Sequence, residues 1–194
     1  MNKGTVIVLT GASSVNKSEI RDRLMKDKDL NLFYSISLTT RPKKEKEVDG
    51  KDYYFIDFKS FAQSIKNKEL LEYTEFNGYY YGTPKQNIQF LIDKGKNILI
   101  ETEAQGVGQI KLAMPEALAF FIMPTNMEDL EKSIRERYKD DEASINKRIS
   151  KARVEMELAP LFRNSFVNND SNKTFNDIKK IILESLAKGE NNGN

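Results

Sequence analysis

The chain has no cysteine and no histidine among its 194 residues. Without cysteine there is no disulfide, no thiolate metal site and no thiol nucleophile, a composition that fits a cytoplasmic protein. Without histidine there is no imidazole general base, no Ser-His-Asp triad and no imidazole metal ligand. Chemistry must therefore use carboxylates, Lys, Arg, Tyr, hydroxyls, or a metal ion brought in by a substrate. Phosphoryl transfer is the large reaction class that works with this set, because it depends mostly on positioning and charge stabilisation. Long apolar runs are also missing. The longest, "TVIVL" and "LAFFIM", are far below the ~20 residues that span a bilayer. The opening "MNKGTVIV" lacks an apolar stretch followed by a small-residue cleavage site, so no export is expected. A surplus of one charge is absent too: 31 Lys and Arg face 29 Asp and Glu, leaving +2. That field is too weak to argue for a nucleic-acid or membrane partner.

What is present alternates short β-type runs with longer helical ones. "TVIVLT" (5–10), "NILIE" (97–101) and "ALAFFIM" (117–123) are continuous apolar runs, as expected of strands covered on both faces. Helical patterns fall at 17–28, with Ile20 and Leu24 on one face, at 57–68, and after Pro84, which suits a first helical turn. Others follow Thr125, an N-cap with Glu128 three residues on, and cover 140–159 and 173–187. The last carries a stripe of Ile178, Ile181, Ile182 and Leu186. "FYSISLTT" (33–40), "DYYFI" (52–56) and "SFVNN" read as further strands. Asn77-Gly78 within "LLEYTEFNGYYYGT" is the strongest short hairpin signal. Strands separated by helices imply a parallel α/β sheet. Residues 35–83, rich in strands, Tyr and charge, read as an insertion. The tail "KGENNGN" reads as disordered.

The first chemical motif is "GASSVNKS": Gly11, Ala12, Ser13, Ser14, Val15, Asn16, Lys17 and Ser18. It joins an apolar strand to a helix, the layout of a phosphate-binding P-loop. Backbone N–H groups and the helix N-terminus would cradle phosphates. Lys17 would reach the β/γ oxygens and the Ser18 hydroxyl would ligate Mg²⁺. The pattern G-x-x-x-x-G-K-[ST] expects Gly where this chain has Asn16. Asn is the non-Gly residue that best tolerates left-handed backbone, at a strain of about 1 kcal/mol relative to Gly. The plain alternative is a turn before a helix that binds nothing.

The order of motifs resembles one family. "YSISLTTR", "EVDGKDYYF", "LLEYTEFNGYYYGTP", "AQGV", "SINKRISKARVEMELA" and "VNND", taken with the loop, are similar to guanylate kinase from about residue 4 to residue 186. The resemblance implies an α/β fold with a P-loop NTPase-type parallel sheet flanked by helices, an inserted β-rich GMP-binding subdomain and a helical lid. Mapped on this chain, the core would be 1–34, 84–124 and 156–187, the GMP-binding subdomain 35–83, the lid 125–155 and the tail 188–194. It also implies transfer of the γ-phosphoryl group of Mg-ATP to GMP.

Residue by residue, the resemblance places guanine reading on Ser37, Glu72, Thr83 and Glu103. A carboxylate accepts the adjacent N1–H and N2–H of guanine, whereas adenine offers no N1 donor. Ser37 and Thr83 would donate to O6 or N7. Glu103 stands where the family usually has Asp. The acceptor phosphate falls to Arg41, Lys44, Tyr53 and Tyr81, next to Gly82. Lys44 replaces a usual Arg and loses its bidentate fork. Arg137 and Arg148 match lid arginines that clamp the triphosphate and stabilise transition-state charge. Ser133 stands where another lid Arg is usual, with Arg135 nearby to substitute. Glu101, at the end of its strand, matches an acidic position near the metal. The lid arginines, Glu101 and the charged loop 41–51 would otherwise be ordinary solvated charge.

Two functional readings follow. One is an active guanylate kinase binding ATP and GMP, monomer or homo-oligomer undecided. The other is a weakened guanylate-kinase-like module for nucleotides or proteins, suggested by Ser14, Asn16, Lys44 and Ser133 clustering at the chemistry. A kinase for another nucleotide fits the Ser37, Glu72 and Thr83 set less well.

Overall fold

The computed structural model describes residues 3–139 and 141–191. In chain order the elements are β1 (Val6–Gly11), α1 (Lys17–Lys26), β2 (Leu32–Tyr34), β3 (Leu38–Thr39), β4 (Tyr54–Phe55), α2 (Phe58–Lys66), β5 (Leu70–Phe76) and β6 (Tyr79–Pro84). There follow α3 (Lys85–Asp93), β7 (Asn97–Glu101), α4 (Ala104–Ala113), β8 (Leu118–Met123), α5 (Met127–Arg137), α6 (Glu142–Glu157), β9 (Asn164–Val167) and α7 (Ser171–Asn191).

Five strands form a parallel sheet in the order β2-β7-β1-β8-β9. β1 is central and buried at all six positions, which explains why it runs apolar from Val6 to Leu9 rather than alternating. The alternation instead decides which side each residue supplies. Ile7 and Leu9 join Ile20, Leu24, Phe120, Ile178 and Ile182 on one face. Val6 and Val8 join Ile88, Ile98, Ile100 and Ile110 on the other. Each such side chain contributes about 1.5–3 kcal/mol on burial.

A second sheet, β4-β3-β6-β5, stands beside this core. Its β5–β6 hairpin turns at Asn77 (φ 52°) and Gly78 (φ 76°), the two positive φ values of a tight hairpin turn that the pair Asn-Gly favours. The Gln109 side chain of α4 ties this sheet to the core. It accepts the Tyr73 N–H at 3.2 Å and donates to the Tyr73 carbonyl at 2.8 Å.

Several elements differ from the sequence pattern. "FYSISLTT" is not one strand. Leu32–Tyr34 pairs with β7 in the core, while Leu38–Thr39 pairs with β4 and β6 in the second sheet. Its alternation is real, but its two halves serve different sheets. α5 is capped by Asn126, whose side chain accepts the Asp129 N–H at 2.8 Å, and not by Thr125. Two adjacent cap-type residues compete there. α1 stops at Lys26, short of 28. Pro84 closes β6 and caps α3 rather than lying inside it. α7 runs on to Asn191, past the point at 188 where the tail was expected to lose structure. Residues 192–194 lie outside the described residues.

Candidate active site

β1 and β7 end on the same edge of the core sheet and open onto a cavity of about 570 Å³. The carboxyl ends of parallel strands are where open α/β sheets place ligands. One wall is the loop after β1. Gly11 has φ +145°, and a Cβ there would lie 2.2 Å from the Ile122 carbonyl oxygen. Ser14 (φ 64°) and Asn16 (φ 57°) are both left-handed, so the loop holds the conformation that Gly would give without Gly at either position. Asn168 supports it from outside, donating to the Val15 carbonyl at 3.0 Å.

Lys17 bends back over the loop, donating to the Gly11 and Ala12 carbonyls at 2.8 and 2.7 Å. Burial pushes its pKa down, against the pull of Glu101 and Glu155. The Ser14 hydroxyl is buried with no partner among the described residues. An orphaned donor in a loop that also carries a half-buried Lys, at the start of a helix, suits an anion. Ser18 adds a hydroxyl in the first turn of α1.

The opposite wall reads like a base pocket. Ser37, Glu72, Thr74, Thr102 and Glu103 line it. Glu72 is only 3% exposed, and burial pushes its pKa up although two hydroxyls donate to it. Thr83 Oγ1 donates to Glu72 Oε1 at 2.6 Å and is itself fully buried. Thr83 thus holds the carboxylate, rather than facing O6 or N7 as its type suggested. Gly82 lies against Glu72 as well: a Cβ there would meet the Glu72 carbonyl oxygen at 3.0 Å. Glu103 pairs with Lys151 of α6.

Between these walls sit Arg41, Lys44, Tyr53 and Tyr81. Arg41 forks onto Glu47, at 2.8 and 3.0 Å, and its guanidinium lies 5.4 Å from the Tyr53 ring centre. Glu47 also accepts the Lys44 N–H at 2.8 Å. The carboxylate thus occupies the Arg41 fork that an incoming phosphate would use, while from Lys44 it takes only the backbone N–H.

On the side of α5 and α6, Arg148 stacks 3.9 Å from the Tyr138 ring centre and 5.7 Å from that of Phe76, at the hairpin. Both rings line the cavity, as does Arg148. Arg137 is exposed but near enough to Lys17 to disfavour its charge. Arg135 does not fill the place of a missing arginine at Ser133. It binds both oxygens of Glu142 at 2.9 Å. Glu101 reaches the cavity with Oε2 taken by Arg21 Nη1 at 2.9 Å.

No group of three or more metal-type ligands occurs among the described residues. Of the two residues expected on the metal side, Ser18 offers a hydroxyl in the first turn of α1 and Glu101 a carboxylate lining the cavity, both oxygen donors of the kind Mg²⁺ takes.

Four residues here have no role assigned from sequence: Glu47 and Glu155, although both lie within quoted motifs, and Thr102 and Tyr138. Glu155 did leave a signal. Ile145, Ile149 and Ala152 form the buried stripe of α6, and Glu155 continues it. A carboxylate on an apolar stripe points to a partner inside. Burial pushes its pKa up, against the pull of Lys151 and Lys17.

A family model for guanylate kinase matches residues 3–185. Similar curated proteins include a guanylate kinase of Thermus thermophilus, 38% identical over 180 residues, or 93% of this chain and 81% of that protein. A guanylate kinase of Synechocystis is 40% identical over 182 residues, covering 94% and 95%. The crystal structure of guanylate kinase from Anaplasma phagocytophilum superposes with a TM-score of 0.76 at 29% identity, covering 95% of this chain and 87% of that one. Among the described residues no helix is long and apolar enough to cross a membrane.

Proposed function

The chain belongs to the guanylate kinase family, and we infer that it moves the γ-phosphoryl group of Mg-ATP onto the phosphate of GMP, giving ADP and GDP. The observation that carries this is one cavity lined on one side by Gly11, Ser13 and Lys17 and on the other by Ser37 and Glu72, with Arg41, Tyr53 and Tyr81 between them. The two walls suit two nucleotides brought phosphate to phosphate.

In this reading a GMP phosphate oxygen attacks the γ-phosphorus in line, and the bond to the β-phosphate oxygen breaks. No general base is required, because the nucleophile is already an oxyanion; the absence of histidine is consistent with that. Lys17 leaves the loop carbonyls for the β/γ oxygens, and Arg41 exchanges Glu47 for the acceptor phosphate. Arg137 and Arg148 stabilise charge in the transition state. Ser18 and Glu101 would hold the Mg²⁺ that comes with the nucleotide, which would supply charge neutralisation at the phosphates. Lys44 contributes charge without a fork. Glu72 and Glu103 read guanine, with Lys151 released from Glu103. Residues 35–83 serve as the GMP-binding subdomain and 125–155 as a lid on the remaining core, closing to exclude water. Asn16 keeps the loop's backbone shape, so the departure from Gly leaves a working cradle.

An ADP-release assay with Mg-ATP tests this, with GMP as acceptor and AMP, dTMP and UMP as controls. Turnover of GMP alone above about 1 s⁻¹ is expected. Equal turnover of AMP, or none with GMP, would contradict it.

A further inference from the structure

Thr102 is the first residue beyond β7, between the two acidic positions Glu101 and Glu103, and its chemistry is distinct from theirs. Its Oγ1 donates to Glu72 Oε2 at 2.9 Å, while Thr83 donates to Oε1 at 2.6 Å. Each carboxylate oxygen therefore has one hydroxyl donor. The donors come from different parts of the fold: Thr83 from the second sheet, beside β5, and Thr102 from the edge of the core sheet. Helix α4 closes the arrangement. A Cβ on Gly106 would lie 2.4 Å from Thr102 Oγ1 and 2.5 Å from Glu72 Oε2. Only a glycine there lets the hydroxyl and the carboxylate meet.

A carboxylate held at one oxygen can still turn about its last bond. Held at both, its plane is fixed, and each oxygen keeps lone-pair capacity for one more donor. Guanine presents two parallel donors, N1–H and N2–H, so it is the acceptor's plane that decides whether both bonds form. We propose that Thr102 is a positioning residue for base recognition, fixing the Glu72 carboxylate so that both of its oxygens face the N1–H and N2–H edge of guanine. This rests on the GMP reading above. The hypoxanthine base of IMP keeps N1–H and lacks the 2-amino group, so the preference for GMP over IMP measures the second bond.

The experiment compares wild type, Thr102→Val and Thr102→Ser, using steady-state kinetics with GMP and with IMP, GMP calorimetry and thermal melts. Val keeps the shape and removes the donor. We expect the KM and Kd for GMP to rise about tenfold, which is about 1.4 kcal/mol. The preference for GMP over IMP should shrink by a similar factor, with kcat at saturating GMP within about twofold and KM for ATP unchanged. Ser restores the donor and should restore GMP affinity and preference. A folded Thr102→Val with unchanged GMP affinity and unchanged preference would overturn the proposal. So would a Ser variant no better than Val, because packing would then be the cause. If Val unfolds the chain, Thr102→Ala carries the same expectation. Wild type that fails to bind GMP would instead overturn the functional reading, and this one with it.

Discussion

The two walls of the cavity are built from different materials. The phosphate wall works through backbone: left-handed turns at Ser14 and Asn16, loop carbonyls under Lys17, and a helix start. The base wall works through side chains: a buried carboxylate and two hydroxyls drawn from residues 72, 83 and 102. A wall made of backbone tolerates an exchange that preserves φ and ψ, as Asn16 does. A wall made of side chains does not tolerate exchange of the group itself. In the loop, Ser14 and Asn16 stand where Gly is usual and keep its left-handed backbone; on the base wall, Glu103 stands where Asp is usual but keeps the carboxylate, and the Glu72 cluster is fully formed.

The sharpest break of this comparison is Glu72→Gln. Its amide would turn an N–H toward guanine, so kcat/KM for GMP should fall on the order of 10⁴-fold while ATP binding persists. The same change should stabilise the fold. Burial raises the pKa of Glu72, so the folded state favours its neutral form. That preference contributes stability below the unfolded carboxyl pKa and is lost as pH rises through the folded one. The melting-temperature advantage of Glu72→Gln over wild type should therefore grow with pH, as calorimetry would show. Lys17→Ala comes next, lowering kcat by about 10³-fold with GMP affinity little changed, as measured by single-turnover transfer. The wild-type pH profile is gentler. GMP affinity should weaken as pH falls through the raised pKa of Glu72, because a protonated carboxyl cannot accept both guanine donors. The smallest effect is at Asn16. Alanine there should cost about 1 kcal/mol in left-handed strain, a loss of about 2–4 °C in Tm, and glycine should leave kcat close to wild type.

The same contrast explains what the sequence made legible. Backbone-determined features leave local signals. The apolar runs of β1, β7 and β8, the Asn77-Gly78 turn and the strand-loop-helix of the P-loop are each readable within a dozen residues. Side-chain clusters assemble across the chain. Glu72 meets Thr83 from 11 residues on and Thr102 from 30 residues on. No local pattern announces Thr102 as a partner of Glu72. Nor does it show that Thr83 spends its proton on that carboxylate, or that Arg135 is already held by Glu142. The split of "FYSISLTT" has the same cause: alternation identifies a strand but not the sheet that receives it.

The most direct test of the two-wall account is calorimetric titration of GMP and of ATP into folded wild type and folded Glu72→Gln. The account predicts that the substitution abolishes GMP binding and leaves ATP affinity within about threefold of wild type, well under the tenfold that 1.4 kcal/mol represents. Loss of both nucleotides from a folded protein, or retention of GMP, would contradict it.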